Sequence, residues 1–355
     1  MFKENYNVIG VMSGTSLDGI DLAHIQFYIK DNHWSFDLLE CATISYSSNW
    51  LNKLKTAINC SEQELLQLNA DYTLYIGAVI NDFVAKNNIE NLDAVCSHGH
   101  TILHQPENGF TLQIGNLPQI ASIINQTVVC DFRVQDVLLG GQGAPLVPIG
   151  DKILFAEYDF CLNLGGFSNI SFNKNGERIA FDISPVNTIL NFYANKLGLD
   201  YDDKGKIARY GNINQELLQD LNDLEYYKNS YPKSLGVEFV QQTILPIIEN
   251  HYLEIDDKMA TFLEHIAQQI ALVLQSNTGK LFISGGGAYN DFLIERIKIL
   301  LPTLEIVIPT SKIIEYKEAL IFGLLGVLKL RNEVNVLKSV TGASADHSSG
   351  NIFYK

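Results

Sequence analysis

Charge is scarce in this chain. Asp, Glu, Lys and Arg make up 18% of its 355 residues, below the quarter usual for globular proteins. Basic charge is scarcer still. The 25 Lys and Arg stand against 40 Asp and Glu, a formal net charge of -15. Such a surface repels phosphate backbones and anionic lipids, so neither nucleic acid nor a membrane is an expected partner. A single phosphorylated small molecule, held by local backbone N–H groups, stays open. Cysteine is sparse too. The five residues Cys41, Cys60, Cys96, Cys130 and Cys161 are odd in number and include no Cys-x-x-Cys. This argues against a disulfide framework and for buried thiols in a reducing compartment. Long apolar runs are missing. "ALIFGLLGVLKL", the longest late one, has about 12 residues, too few to span a bilayer. The start, "MFKENYNVIGVMSG", lacks an apolar core of signal-peptide length. A cytoplasmic protein is the expectation.

What is present is apolar residues in short blocks, 46% of the chain, enough for a large core and two domains. The blocks alternate between strand and helix types, which reads as α/β. Tyr6–Met12 and Ile20–Ile29 are strand-like and flank the glycine- and hydroxyl-rich "SGTSLDG" of residues 13–19. A second such unit, "DFCLNLGGFSNISFN", lies about 150 residues on, followed by a third strand in "NKNGERIAFDISP". Ser61 with Glu64 forms a capping box before a helical stretch. "LDAVCSHGHT" reads as a buried strand entering a loop, and "TVVCDFRVQD" as a strand leading to a polar turn. "PVNTILNFYANKLG" closes with Gly198 at a C-cap position, and "TFLEHIAQQIALVLQSNTG" is a helix read as ending at Gly279. "KLFISGGGAYNDFLIERIKILL" is strand, three glycines, helix, a layout that places a ligand against a strand end. The expected division is 1–140 and 141–334, with residues 335–355 returning to the first part.

Several positions can carry chemistry. The 13–19 turn is no Walker loop, since no Gly-Lys-Ser/Thr occurs there. Its glycines and hydroxyls suit a phosphate, an ordinary long hairpin being the plain alternative. Gly165-Gly166 and Gly285-Gly286-Gly287 are two further glycine turns, and three such turns can enclose one polyphosphate nucleotide. Asp18 suits Mg²⁺. Asp182 is either a base at a strand end or, with Ser184, a cap for a helix starting at Pro185. His98, His100 and His104 match no zinc template and suit contact with a hydroxylated ligand. Arg133 suits a carboxylate, or an internal salt bridge with Asp131 or Asp136. "LLGGQGAPLVPIGD" is a linker or a loop of fixed shape. Lys233 faces an anion or solvent.

Taken together, "MSGTSLDGID", "SHGHTILHQP", "TLQIGN", "DFRVQDVLLGGQGAPLVP", "NLGGFSNI", "FDISPVN", "PKSLGVEF", "SGGGAYN" and "VTGAS" resemble the anhydro-N-acetylmuramic acid kinases of bacterial cell-wall recycling. They stand in family order from Gly10 to Ser344. The resemblance implies a two-lobed, actin-like architecture, each lobe a mixed five-stranded ribonuclease-H-like sheet with helices. It implies an ATP-dependent kinase that opens the 1,6-anhydro ring with water and phosphorylates O6, giving N-acetylmuramic acid 6-phosphate and ADP. Asp182 matches the family's catalytic aspartate. Ser13, Gly14, Thr15, Ser16, Asp18 and Gly19 look like the first phosphate loop. Gly165, Gly166 and Asn169 look like the second, and Gly285, Gly286 and Gly287 like the adenosine-side loop. His98, Arg133 and Asn187 become sugar contacts, with Asp18 toward Mg²⁺. The chain departs from the family at Ile183, Ser184 and Val186, at His100 in place of Gln, and at Lys204 in a frequent Asp-Gly. An ordinary sugar kinase and a sugar- or nucleotide-sensing regulator are the rival readings. The oligomeric state is left open, a homodimer included.

Overall fold

The computed structural model describes residues 2–14 and 17–355. The readings on Thr15 and Ser16 lie outside the described residues. The chain divides into two compact units, Met1–Leu154 with Tyr316–Lys355, and Phe155–Glu315. The first unit therefore extends past residue 140 and takes back the chain from Tyr316, earlier than the 335 read from sequence. The helix Ser311–Leu330 accounts for the early return, because its apolar residues pack on the first unit's sheet.

The strands run, in chain order, β1 (Asn5–Ser13), β2 (Ile20–Lys30), β3 (His33–Ile44), β4 (Ala94–Gln105), β5 (Phe110–Ile114) and β6 (Val128–Cys130). There follow β7 (Phe160–Leu164), β8 (Phe167–Lys174), β9 (Glu177–Pro185), β10 (Gly279–Ser284), β11 (Leu304–Val307) and β12 (Asn351–Phe353). The second unit's sheet has the five strands expected, in the order β11-β10-β7-β8-β9. The first unit's sheet has seven, ordered β12-β6-β4-β1-β2-β3 with β5 paired to β4. Removing the two additions, β5 and β12, leaves the same plan in both units. Three consecutive strands meander antiparallel, and two more join parallel beside the first. Antiparallel neighbours need only a turn, whereas parallel ones need a crossover of helical length. This is why glycine turns follow β1 and β7 and helices follow β3 and β9.

Local signals were followed closely at some ends and not at others. The Ser61–Glu64 capping box forms at the head of Glu62–Lys86. Gly198, at φ 77°, follows the helix Asn187–Lys196. The helix Ile255–Leu274 stops before Gly279, because Gln275 already turns to ψ 146°. Gly279 instead opens β10 at φ 114°, against the Asp159 carboxylate. β4 does not end at its histidines. It continues to Gln105 because β5 doubles back and pairs with it, from His100↔Ile114 to Gln105↔Phe110. Pro185 ends β9 rather than starting a helix, and Asn187 is the first helical residue.

Among the described residues no helix is long and apolar enough to cross a membrane. The apolar Ser311–Leu330 is instead a core helix, with Ala319–Phe322, Leu324, Leu325, Val327 and Leu328 buried. It approaches the first sheet until side chains no longer fit between. A Cβ on Gly10 would stand 1.9 Å from the Ala319 carbonyl oxygen. One on Gly326 would stand 2.1 Å from Cys96 Sγ. Gly10→Ala must therefore push a backbone group aside. It should cost about 3 kcal/mol, seen as a lower urea midpoint with an unchanged slope. An unchanged midpoint would contradict this packing.

Candidate active site

In the first unit, β1 and β2 pair antiparallel up to Ser13↔Ile20. Gly19 leaves no room for a side chain, since a Cβ would meet the Ile44 carbonyl oxygen at 2.8 Å. The Ser13 hydroxyl is already engaged. It lies 2.5 Å from Tyr46 Oη and 2.7 Å from His100 Nδ1, and Tyr72 Oη donates to it at 3.1 Å. Ser13 and His100 are buried, and burial brings His100 down to about 4. His100 therefore completes an inward hydrogen-bond network. Asp18 is exposed and lies within electrostatic reach of Tyr46 and Glu318.

His98 and Arg133 are brought together. Arg133 Nε donates to His98 Nε2 at 2.8 Å, and Arg133 Nη1 donates to the Gly143 carbonyl at 2.7 Å. His98 Nδ1 lies 2.9 Å from the Gly99 carbonyl. Because Nε2 accepts, Nδ1 must carry the proton. The ring is buried, and burial with the neighbouring guanidinium holds it well below the usual imidazole range. Burial also lowers Arg133, to about 10. No ion pair joins Arg133 to Asp131 or Asp136. Glu318 of the helix Ser311–Leu330 lies close enough to favour the charged guanidinium. Crowding by protein and the Asp21 and Asp18 carboxylates raise Glu318, while Arg133 and Lys317 oppose the rise. Its surface still reaches water, so these interactions are screened. Sequence reading passed over Glu318; the signal was a Lys-Glu pair inside an apolar helix.

The second unit holds Asp182, the two other glycine turns, Asn169 and Asn187. Asp182 lies within β9, half-buried. Leu235 N–H donates to Asp182 Oδ2 at 2.9 Å, and Tyr226 Oη donates to the Asp182 carbonyl at 2.7 Å. Asp182 N–H donates to the Lys233 carbonyl at 3.2 Å. The "PKSLG" segment thus grips it on both sides. Burial raises the carboxyl above its usual value, and the Leu235 N–H opposes the rise. Asp182 caps no helix, and Ser184 bonds to Ser168 instead. The Lys233 ammonium is half-buried against Tyr226. It donates to the Tyr226 carbonyl and lies 4.6 Å from the Tyr226 ring centre.

Strand register lines up a polar row across this sheet. Ser284 pairs with Asn163, Asn163 with Asn169, and Asn169 with Asp182. Paired residues share a face, so the row runs from the base of the Gly285 turn to the carboxylate. Asn163 and Ser284 were missed from sequence, where each reads as one polar residue in an apolar strand. Gly285, at φ 81°, admits no side chain, since a Cβ would stand 2.6 Å from Asn163 Oδ1. Gly286 and Gly287 line a cavity of about 980 Å³ with Asp202, Lys204, Ile314 and Asn187. Asn187, read as a sugar contact, thus lies on the wall of the glycine-turn cavity. The Gly165 and Gly166 carbonyls accept the N–H groups of Val186, Asn187 and Thr188. That helix start is therefore already satisfied, and the Gly165 N–H is itself spent on the Phe167 carbonyl at 3.1 Å.

The strand plan, repeated in both units, is that of the actin-like, ribonuclease-H-like α/β class. The chain belongs to the anhydro-N-acetylmuramic acid kinase family, whose model matches residues 6–355. It is 34% identical over 364 residues to the anhydro-N-acetylmuramic acid kinase of Shewanella sediminis (strain HAW-EB3), covering 97% of this chain and 98% of that one. It is 35% identical over 364 residues to the enzyme of that name from Shewanella denitrificans, covering 97% of each. A solved structure, the Acidaminococcus fermentans (R)-2-hydroxyglutaryl-CoA dehydratase component A, aligns with a TM-score of 0.46 at 12% identity, over 92% of this chain and 99% of that one.

The His98–Arg133 pair makes a spectroscopic prediction. His98 should stay neutral, with its proton on Nδ1, through the pH range in which an ordinary imidazole titrates, near about pH 6.5. Nitrogen-15 chemical shifts of labelled histidine report this directly. A His98 titration near the ordinary imidazole value would contradict the pairing.

Proposed function

We propose that this chain is the ATP-dependent kinase that opens 1,6-anhydro-N-acetylmuramic acid and phosphorylates O6, serving peptidoglycan recycling and amino-sugar breakdown. The observation that carries the reading is Asp182, a half-buried carboxylate with a raised pKa, gripped by Leu235 and Tyr226. The reaction needs such a group. The substrate has no free 6-hydroxyl, so water must add at C1 while the C1–O6 bond breaks. Water is a poor nucleophile, and Asp182 takes its proton. A carboxylate also steadies positive charge developing at C1. O6 forms the bond to the γ-phosphorus, the bond from γ-phosphorus to the bridging oxygen breaks, and ADP leaves. Since phosphorus receives O6, no acid is required there.

The glycine turns supply backbone N–H groups to the phosphates, where charge builds up during transfer. The cavity beside Gly286 and Gly287 suits the adenosine, with Asn187 on its wall. Arg133 takes the sugar, its guanidinium matching the lactyl carboxylate, and His98, whose two ring nitrogens are already engaged, holds that arginine in place rather than touching the sugar as read from sequence. Among the described residues no three His, Cys, Asp or Glu side chains cluster as a metal site. Mg²⁺ in kinases needs no such cluster, because phosphates and water provide most of its oxygens. One carboxylate suffices, and Asp18 fits that part. The ion neutralises phosphate charge when bound.

Asp182→Asn should lower turnover about 10²–10⁴-fold. ADP release with ATP, Mg²⁺ and the anhydro sugar measures this, and turnover in ¹⁸O-water should label C1. Label-free product, or turnover only on sugars with a free hydroxyl, would overturn the reading. The same variant should be more stable than the parent at pH 7. A carboxyl raised in the folded state weakens folding once pH exceeds that raised value, so its removal strengthens it. The gain should vanish below about pH 3.9, where both states hold the proton. Thermal melts at both pH values check the sign.

A further inference from the structure

Arg133 spends two of its three guanidinium nitrogens inside the protein, on His98 Nε2 and the Gly143 carbonyl. Its Nη2 makes no hydrogen bond to a described residue. The direction of that free edge therefore depends on where the Gly143 carbonyl stands. Gly143 lies in the "GGQGAP" loop at φ 67°, where a Cβ would press on Val137 at 2.9 Å. Its N–H donates to Asp136 Oδ2 at 2.6 Å. Asp136 is fully buried, and its other oxygen accepts from Thr341 Oγ1 at 2.7 Å. His347 Nε2 stands 3.6 Å from that second oxygen.

Thr341 belongs to "VTGAS", whose part in the reaction the sequence left unassigned. The segment around it is tied to the arginine loop at several points. The Thr341 carbonyl accepts from Gln142 N–H at 2.8 Å, and Ser344 N–H donates to the Leu139 carbonyl at 3.0 Å. Ser349 Oγ donates to the Phe132 carbonyl at 2.6 Å. Beyond it, β12 pairs along β6, immediately before Asp131. Thr341 and Asp136 are 205 positions apart in sequence and Ser349 and Phe132 are 217 apart, and in space they form one ordered loop.

We infer that Asp136 and Thr341 are positioning residues for substrate recognition, acting through Gly143 on Arg133. The inference rests on the reading that Arg133 takes the lactyl carboxylate. A chain of three hydrogen bonds, Thr341 to Asp136, Gly143 to Asp136 and Arg133 to Gly143, fixes the guanidinium plane. Asp136 holds both the loop and the tail, one carboxylate oxygen accepting from Gly143 N–H and the other from Thr341 Oγ1. Loosening the Thr341 end lets Gly143 shift and tilts Arg133. That weakens a planar, two-bond contact more than it weakens a neutral one.

The test compares two sugars on the full-length chain. One is 1,6-anhydro-N-acetylmuramic acid, and the other is the same anhydro sugar with a free 3-hydroxyl in place of the lactyl ether. Thr341→Val should weaken binding of the first about 3- to 10-fold, the size of one lost hydrogen bond. Binding of the second, KM for ATP and kcat should hold, and Thr341→Ser should restore the loss. Asp136→Asn should show the same selectivity, since its amide serves only one of the two donors. Equal losses for both sugars, or no loss, would overturn the inference. Arg133→Gln is the separate control. If it leaves the preference for the lactyl sugar intact, the reading of Arg133 fails. If it erases that preference while Thr341→Val behaves as the parent, only the positioning role fails.

Discussion

The first unit depends on a contact between backbones. β1 and the helix Ser311–Leu330 approach until the Gly10 Cα faces the Ala319 carbonyl, and Gly326 of the same helix leaves room for the Cys96 side chain of β4. Close approach places the rest of that helix. Phe322 backs both His98 and Phe132, with ring centres 4.7 and 5.7 Å apart. Lys317 reaches Asp151 in a buried pair at 2.7 Å, and Glu318 falls beside Arg133. A buried pair of this kind adds little net stability, since desolvation offsets its attraction. Its consequence here is geometric, because it ties the helix Pro148–Leu154 to the helix bearing Glu318.

Both units solve one electrostatic problem in opposite ways. Burying a charge is costly unless partners replace water. In the first unit the cost falls on a cation. Arg133 donates to a neutral imidazole and a carbonyl, and the nearby Glu318 and Asp136 carboxylates oppose the effect of its burial. In the second unit the cost falls on a carboxylate. Asp182 receives one backbone N–H at its side chain, enough to hold its orientation but not to cancel burial. A carboxylate with more donors would be a weaker base. The single hydrogen bond and the raised pKa are therefore one arrangement.

Much of this was legible from sequence because local chemistry decided it. Ser61 and Glu64 specify a helix start by their own hydrogen bonds, and the glycine turns after β1 and β7 specify hairpins. Asp182 was visible as a lone carboxylate at the end of an apolar run. What escaped depends on register or on distant chain. Asn163 and Ser284 acquire meaning only when four strands align them with Asp182. The β5 strand could not be told from a loop, since its partner is the histidine run that it extends. Gly279 looked like a helix end because a polar run precedes it, yet the chain had already turned at Gln275. Gly10 and Gly326 gave no local sign of the helix that would press against them. The "GGQGAP" stretch was balanced between linker and fixed loop, and Asp136 decides for the loop.

That last case shows why the family's scattered motifs stand in one chain. A sugar site needs side chains held to within a fraction of an ångström, and a glycine-rich loop has little stiffness of its own. Stiffness here comes from outside the loop. Asp136 supplies a carboxylate beneath it, and the residue 341–351 segment closes over it from the other end of the chain. Glycine provides the positive φ that lets Gly143 offer its carbonyl to Arg133, and the buried hydrogen bonds remove the freedom that glycine brings. Arg133 is then as well placed as a residue on a strand, although it lies just ahead of the five-residue helix Val134–Leu138.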